Sequence, residues 1–281
     1  MNPLTRQDVL AHQAIVPWPS QRQVEQDLLL CRSMAAVFGD TFLSAQVAMR
    51  GGTLLHKVYL APAARFSEDI DLVVVGDRPE DHIRKALRRV LADVLGTPKA
   101  SAWDAITLAI RNQARPSRIL RMTYAVPSVS TPGASLEIVL EANVTERTPY
   151  RPVVSVPFGF PFRGAVVETA IRGYDIHEML GTKLRALFQR RRGRDLFDLY
   201  HALTLSKPAV QPDAVIASFL HYLRQESSVV SRREFVALLE SHLADAGFLS
   251  DTAHLLRQGI VYDPAAAGRC VRSELLDRLP E

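Results

Sequence analysis

The feature that most constrains this chain is a glycine pair, Arg50-Gly51-Gly52-Thr53, followed by a strand-like run that opens on two aspartates, Arg65-Phe66-Ser67-Glu68-Asp69-Ile70-Asp71-Leu72. From Asp69 to Val75 β-branched residues dominate, and Gly76 closes the run, which predicts a strand. Side chains alternate along a strand, so Asp69 and Asp71 project from one face while Ile70 and Leu72 pack into the core behind them. Two carboxylates side by side repel unless a proton or a cation separates them. A divalent ion meets that need. Magnesium prefers carboxylate oxygens together with substrate phosphates, and manganese suits the same ligands. The glycines let backbone approach a triphosphate closely, with amide N–H groups and the Thr53 hydroxyl as donors. A helix beginning near Thr53 would add its positive end. Either half alone is weak, since a glycine pair usually makes only a turn. Their occurrence in one strand-flanked unit, in this order, carries the reading.

Around that unit the pattern is mixed. Pro19-Ser20 followed by Gln23 forms a capping-box signature for a helix running to Gly39. Val47-Ala48-Met49 precedes the glycines as a short apolar segment, and Pro79 opens a helix through Leu95. Strands are expected at 106–111, 119–126 and 135–144, and 148–164, rich in proline and aromatics, reads as a connector. From Asp175 the spacing is helical throughout, with segments at 176–189, 194–204, 214–223, 233–246 and 252–258. The fold class is therefore α/β (α+β). An α/β domain with an N-terminal helix occupies 1–170, and a helical C-terminal domain 171–281.

Composition excludes several alternatives. The two cysteines, Cys31 and Cys270, lie far apart and have no metal-ligand spacing, which fits a reducing cytoplasm and argues against a disulfide framework or a zinc cluster. The N-terminus lacks a basic head followed by an apolar run, and no apolar stretch approaches membrane-spanning length, so no membrane partner is expected. The formal charge of +4 is compatible with a nucleic-acid partner without requiring one.

A second block lies downstream, comprising Lys183, Leu184, Ala186, Leu187 and Arg190, then Arg194, Asp195, Asp198 and Leu199. Asp175 suits the N-cap of the first of its two helices. Ile176, Leu180, Leu184 and Leu187 form an apolar face, with Lys183 at its edge as a compact charge suited to a triphosphate. Asp195 and Asp198 share a face of the next helix. They either clamp the two helices by pairing with Arg190 or Arg194, or bring acids to the active site, the role favoured for Asp195.

Taken together, the two blocks closely resemble the signature of the AbiEii/MenT-like toxins, over about residues 45 to 205. These are nucleotidyltransferases of the DNA polymerase β type, found in bacterial abortive-infection and toxin–antitoxin systems. The resemblance implies a mixed sheet with flanking helices, a helical C-terminal region and a cleft between them. It also implies transfer of a nucleoside monophosphate from an NTP to an acceptor, commonly tRNA, and a cognate antitoxin. By position, Asp69 and Asp71 match the metal-binding pair, and Gly52 and Thr53, with Gly51, the phosphate turn. Arg65 matches the arginine before the acidic run, while Lys183, Arg194, Asp195 and Asp198 match the second block.

Such chemistry usually wants a third acid on an adjacent strand. Glu137 and Glu141 both qualify by strand parity, and the run Leu140-Glu141-Ala142-Asn143, closer to the family's strand, favours Glu141. Arg190, Arg191 and Arg192 form a basic run between two helices, either a solvated helix terminus or a contact for RNA phosphates. Ser67, two residues before Asp69, joins the nucleotide site by position, and a phosphate on it would set negative charge beside the metal pair.

Overall fold

The computed structural model describes residues 3–16, 18–110 and 113–281, with backbone only for 102–110 and 113–118. Ser20 and Gln23 form the anticipated capping box: the Ser20 hydroxyl accepts from the Gln23 N–H, and the Gln23 side chain accepts from the Ser20 N–H. This starts α2 (Gln21–Gly39), a helix buried along most of its length that packs on the sheet. Before it stands α1 (Arg6–Gln13), and after it α3 (Thr41–Gln46). A four-residue strand, β1 (Val47–Arg50), runs into the short helix α4 (Gly51–Leu54), which continues through a wider turn to Tyr59.

The sheet is completed by β2 (Asp69–Val74), β3 (Ala100–Ile110), β4 (Gln113–Pro127), β5 (Ser135–Asn143), β6 (Val154–Phe162) and β7 (Ala165–Gly173). Its order is β3-β4-β5-β2-β1-β7-β6, with β2/β5 and β1/β7 parallel and the remaining pairs antiparallel. The helix α5 (Glu80–Leu95) packs against α2 and carries its buried residues Ile83, Ala86, Leu87, Leu91 and Leu95 along one stripe. The expected strand at 106–111 falls within β3, except for Arg111, which lies outside the described residues.

Two expectations need correction. Residues 148–164 are not a connector throughout, because 154–162 form β6, which makes a hairpin with β7 directly after it. Pro157 and Pro161 disguise β6 as loop, yet among the described residues β6 is an edge strand that pairs with β7 alone, and a proline is tolerated where its missing N–H would face outward. The 252–258 segment forms turns, while a helix not anticipated from apolar spacing, α11 (Pro264–Glu274), follows it. Asp263 caps that helix and Pro264 occupies its first turn, but an alanine-rich start supplies little apolar stripe.

The chain divides into two compact units, the sheet with its helices up to Tyr174 and a helical unit from Asp175 that also takes in 59–64 and 150–152. In the second unit α6 (Ile176–Gln189) packs against α7 (Gly193–Thr204) and α8 (Pro212–Gln225). α9 (Arg232–Leu243), α10 (Ala246–Ser250) and α11 complete it. Asp175 caps α6 as its position suggested, accepting from the His177 N–H.

Candidate active site

The strand register sets four charged residues in one row. Arg50 on β1 is opposite Asp71 on β2, Asp71 is beside Glu141 on β5, and Glu141 is opposite Arg121 on β4. Registered neighbours project from the same face, so this row crosses four strands with signs plus, minus, minus, plus. Asp69 lies one strand repeat from Asp71 on that same face, and the intervening Ile70 is fully buried. Adjacent strands are about 4.8 Å apart, close enough for Asp71 and Glu141 to share one cation. Glu137, the alternative third acid, is opposite Ala125 and beyond the β2 residues that pair with β5.

Both outer members of the row are partnered. Arg50 is ion-paired with Glu146, and Asn143 holds the Glu146 segment by accepting from the Thr145 and Glu146 N–H groups at 2.7 and 3.0 Å. Burial works against charge on Arg50, but Glu146, Tyr174 and Asp71 outweigh it and keep the guanidinium protonated. Arg121 donates through Nε and Nη2 to one oxygen of Glu141, Oε1, at 2.8 and 2.5 Å. Sequence reading missed Arg50, Arg121 and Glu146 as neighbours of the acids, since only the register brings them there.

The glycine turn is built against these acids. Gly51 has φ +83°, and a Cβ there would lie 2.0 Å from Asp71 Oδ2, so the carboxylate fills the space a side chain would take. A Cβ on Gly52 would meet Arg65 Nη2 at 2.7 Å and Ser67 Oγ at 3.0 Å. The turn is thus packed against Arg65, Ser67 and Asp71 of the acidic run. Thr53 is buried, and its hydroxyl lies 2.6 Å from the Asp69 carbonyl and 2.9 Å from Ser67 Oγ. Its one proton therefore ties the turn to the start of β2. Arg65 is also buried and donates to the Phe66 carbonyl at 2.9 Å. Behind this segment Trp18 packs edge-on against Phe66 and donates to buried Asp27.

The second block forms a buried ionic cluster in the helical unit. The Lys183 ammonium lies 3.2 Å from Asp195 Oδ1 and 2.8 Å from Asp198 Oδ2, and both acids are fully buried. Arg190 adds a two-pronged contact to Asp195 at 2.8 and 3.0 Å. Burial pushes the Asp195 carboxyl up, but Lys183 and Arg190 outweigh it and hold it below the ordinary range. The helix clamp weighed for these acids is therefore present, made by Lys183 with Arg190. Arg194 contributes its backbone N–H to Asp251. Arg191 and Arg192 pair with Asp245 and Asp251 at 3.1 and 3.5 Å, with about half of each side chain exposed.

Asp69, Asp71 and Glu141 offer hard oxygen donors from one face, and the missing side chain at Gly51 leaves room for the Asp71 carboxylate. That donor set fits magnesium or manganese. Among the described residues the group of three His, Cys or acidic side chains whose ligand atoms converge is His12, Asp27 and Cys31, not the acids of β2 and β5, but there the Lys57 ammonium is ion-paired with Asp27 and supplies the cation. A cavity of about 670 Å³ between α1 and the β6–β7 hairpin is lined by none of the predicted site residues.

A sheet that sets paired carboxylates against a glycine turn is the arrangement expected of a nucleotidyltransferase, and the family match shows that class. Residues 32–264 match the family model described as nucleotidyl transferase AbiEii toxin, type IV toxin–antitoxin system, and the chain belongs to that family. The fold is that of MenT4, a nucleotidyltransferase toxin from Mycobacterium tuberculosis H37Rv, with TM-score 0.61 and 18% identity over 98% of this chain and 90% of that one. An antigenic nucleotidyltransferase-like protein from Paracoccidioides brasiliensis is 14% identical over 83% of this chain and 99% of that one, but at TM-score 0.37 the likeness is too slight to inform the fold. No curated protein sequence matches the chain significantly. No helix among the described residues is long and apolar enough to cross a membrane.

Proposed function

We propose that this toxin transfers a nucleoside monophosphate from an NTP to the 3′-terminal hydroxyl of an RNA, with tRNA as the acceptor, in a magnesium-dependent reaction in the cytoplasm. The observation that carries this reading is the placement of Asp69, Asp71 and Glu141 on one face of the β2–β5 ladder, with Asp71 against the Gly51–Gly52 turn. Asp69 and Asp71 hold the divalent ion, and Glu141 orients the attacking hydroxyl from the neighbouring strand. When bound, the ion neutralises charge developing on the phosphoryl oxygens and lowers the pKa of the acceptor hydroxyl. The acceptor oxygen forms a bond to the α-phosphorus, the bond from the α-phosphorus to the oxygen bridging to the β-phosphate breaks, pyrophosphate leaves, and the hydroxyl proton passes to solvent.

The backbone of Gly51 and Gly52 accommodates the triphosphate, while Thr53, Arg65 and Ser67 fix the shape of that turn. Lys183, Asp195 and Arg194 enter this reading only through the resemblance of the second block, since the Lys183 ammonium is paired with Asp195 and Asp198. Arg190, Arg191 and Arg192 serve as RNA contacts. Exposed ion pairs are weak, about 1 kcal/mol or less, so RNA phosphates can compete for Arg191 and Arg192. Addition to a tRNA 3′ end would block aminoacylation and arrest growth. A cognate antitoxin, implied by the toxin family, would restrain it.

The test is incubation of the purified protein with magnesium, each of four labelled NTPs, and total RNA. Label in the tRNA band that vanishes with Asp69→Ala or Asp71→Ala is the expected result. Label confined to protein or small-molecule fractions would redirect the acceptor assignment. Metal-independent nucleotide binding without turnover in any fraction would make the chain a silent binder instead.

A further inference from the structure

We infer that Arg121 is a positioning residue for nucleotidyl transfer, holding the Glu141 carboxylate in one orientation beside Asp71. The inference rests on the reading of Asp69, Asp71 and Glu141 as the acidic centre. Glu141 has three side-chain torsions and stands next to a like-charged aspartate on a parallel strand, so repulsion would turn it away if nothing held it. Arg121 is the directly opposed residue on the other side, and its Nε and Nη2 close on the single oxygen Oε1. Among the described residues no hydrogen bond reaches Oε2. The guanidinium thus fixes one carboxylate oxygen and leaves the other for the reacting centre.

The grip depends on a planar fork. Two N–H groups on one edge of a guanidinium can meet one oxygen at fixed angles, whereas a lysine ammonium, compact and rotatable, fixes no orientation. Register explains why Glu141 receives this support and Glu137 does not, since Glu137 is opposed by Ala125. On the other flank Arg50 is committed to Glu146, so the two arginines do different work. The Arg121 side chain is 44% exposed and that of Glu141 26%, so the pair adds little to stability and its value lies in geometry.

The experiment is steady-state transfer by the full chain with its best NTP and acceptor, comparing wild type, Arg121→Met and Arg121→Lys, with NTP binding measured by isothermal titration without acceptor. Arg121→Met is expected to lower kcat at least about tenfold, with KM for both substrates and the NTP Kd changing less than about threefold. Arg121→Lys, which keeps the charge without the fork, should recover little of the loss, and both variants should melt within a few degrees of wild type. Any other pattern overturns the inference: a wild-type kcat in Arg121→Met, a loss expressed in KM or Kd, which would make Arg121 a direct substrate contact, or a melting change large enough to account for the loss. If the wild type transfers nothing, it is the functional reading that fails. If the wild type transfers, Asp69→Ala abolishes transfer and Arg121→Met runs at the wild-type rate, only the role of Arg121 fails.

Discussion

The Asp71 carboxylate occupies the space in which a side chain on Gly51 would begin, with Oδ2 only 2.0 Å from the position of a Gly51 Cβ. The two residues are neighbours because Arg50 is opposite Asp71 in the β1–β2 ladder, so the chain turns into α4 directly over the aspartate. Glycine at 51 is required twice, once for its φ of +83° and once for the close approach.

Gly51→Ala should therefore damage the site more than the fold. The left-handed backbone costs about 1–2 kcal/mol, and the methyl must push Asp71 off its position. A fall in transfer rate of at least about a hundredfold is expected, with a melting temperature lowered by only several degrees. Near-normal turnover in this variant would show that the contact does not matter to the reaction.

Asp69→Ala and Asp71→Ala should each reduce transfer by roughly a thousandfold or more, several kcal/mol of barrier. Removing either carboxylate should change the melting temperature of the metal-free protein by only a few degrees, since the repulsion relieved is set against lost attraction such as that of Asp71 for Arg50. Chelation with EDTA should abolish turnover, and added magnesium or manganese restore it. Full activity in EDTA would contradict a metal role for the pair.

How much of this was legible beforehand depended on the range of the signal. The capping box at Ser20 and Gln23 and the alternation of Asp69-Ile70-Asp71-Leu72 are local, and both appear where the sequence put them. Parity could not separate Glu137 from Glu141, because that choice depends on which residue of β5 stands beside Asp71, a pairing between segments far apart in the chain. Arg121 and Arg50 were illegible for the same reason. Pro157 and Pro161 hid β6 because their tolerance depends on its being an edge strand, and a sequence window cannot know that. In the second block, spacing put Asp195 and Asp198 on one face but could not show that Lys183 lies between them.

Lys183→Met should destabilise the helical unit strongly. It leaves Asp195 and Asp198 buried without their shared cation, and breaking a buried ion pair from one side typically costs about 3–5 kcal/mol. Arg190→Ala should cost about 1 kcal/mol or less, because its side chain is 53% exposed. Urea unfolding of the two variants checks the ordering, and equal effects would contradict it.

Acid should weaken the fold through Asp27. Burial opposes its charge, but Lys57 and His12 outweigh burial and bring the carboxyl down to about 2 from an ordinary 3.8. A carboxyl depressed in the folded state binds its proton more readily when unfolded. Its contribution is thus complete above pH 4 and declines as pH falls through 2. That difference corresponds to about 2 kcal/mol. Asp27→Asn, which removes the titrating group, should flatten the stability–pH curve between pH 4 and 2, as followed by denaturant midpoints. A curve as steep as that of wild type would assign the acid sensitivity to other groups.

The two thiols should differ sharply in reactivity. Cys31 is buried, and burial pushes its pKa up to about 12, with the Asp27 charge adding to the effect and Lys57 opposing it. The thiolate is the reacting species, so at pH 8 only about one part in ten thousand of Cys31 is ionised, and reagent cannot reach even that fraction without local opening. Cys270 is only partly buried, on α11, and its thiol is raised as well by burial and by Glu274. A disulfide reagent at pH 8 should therefore modify native protein slowly and at a single cysteine, with peptide mapping placing the adduct on Cys270. In denaturant both cysteines should react at once. Rapid modification of Cys31 in the folded protein would mean that the cluster of His12, Trp18, Asp27 and Lys57 around it opens readily. The packing of Trp18 on Phe66, and with it the support behind Arg65 and Ser67, would then be far looser than the geometry shows.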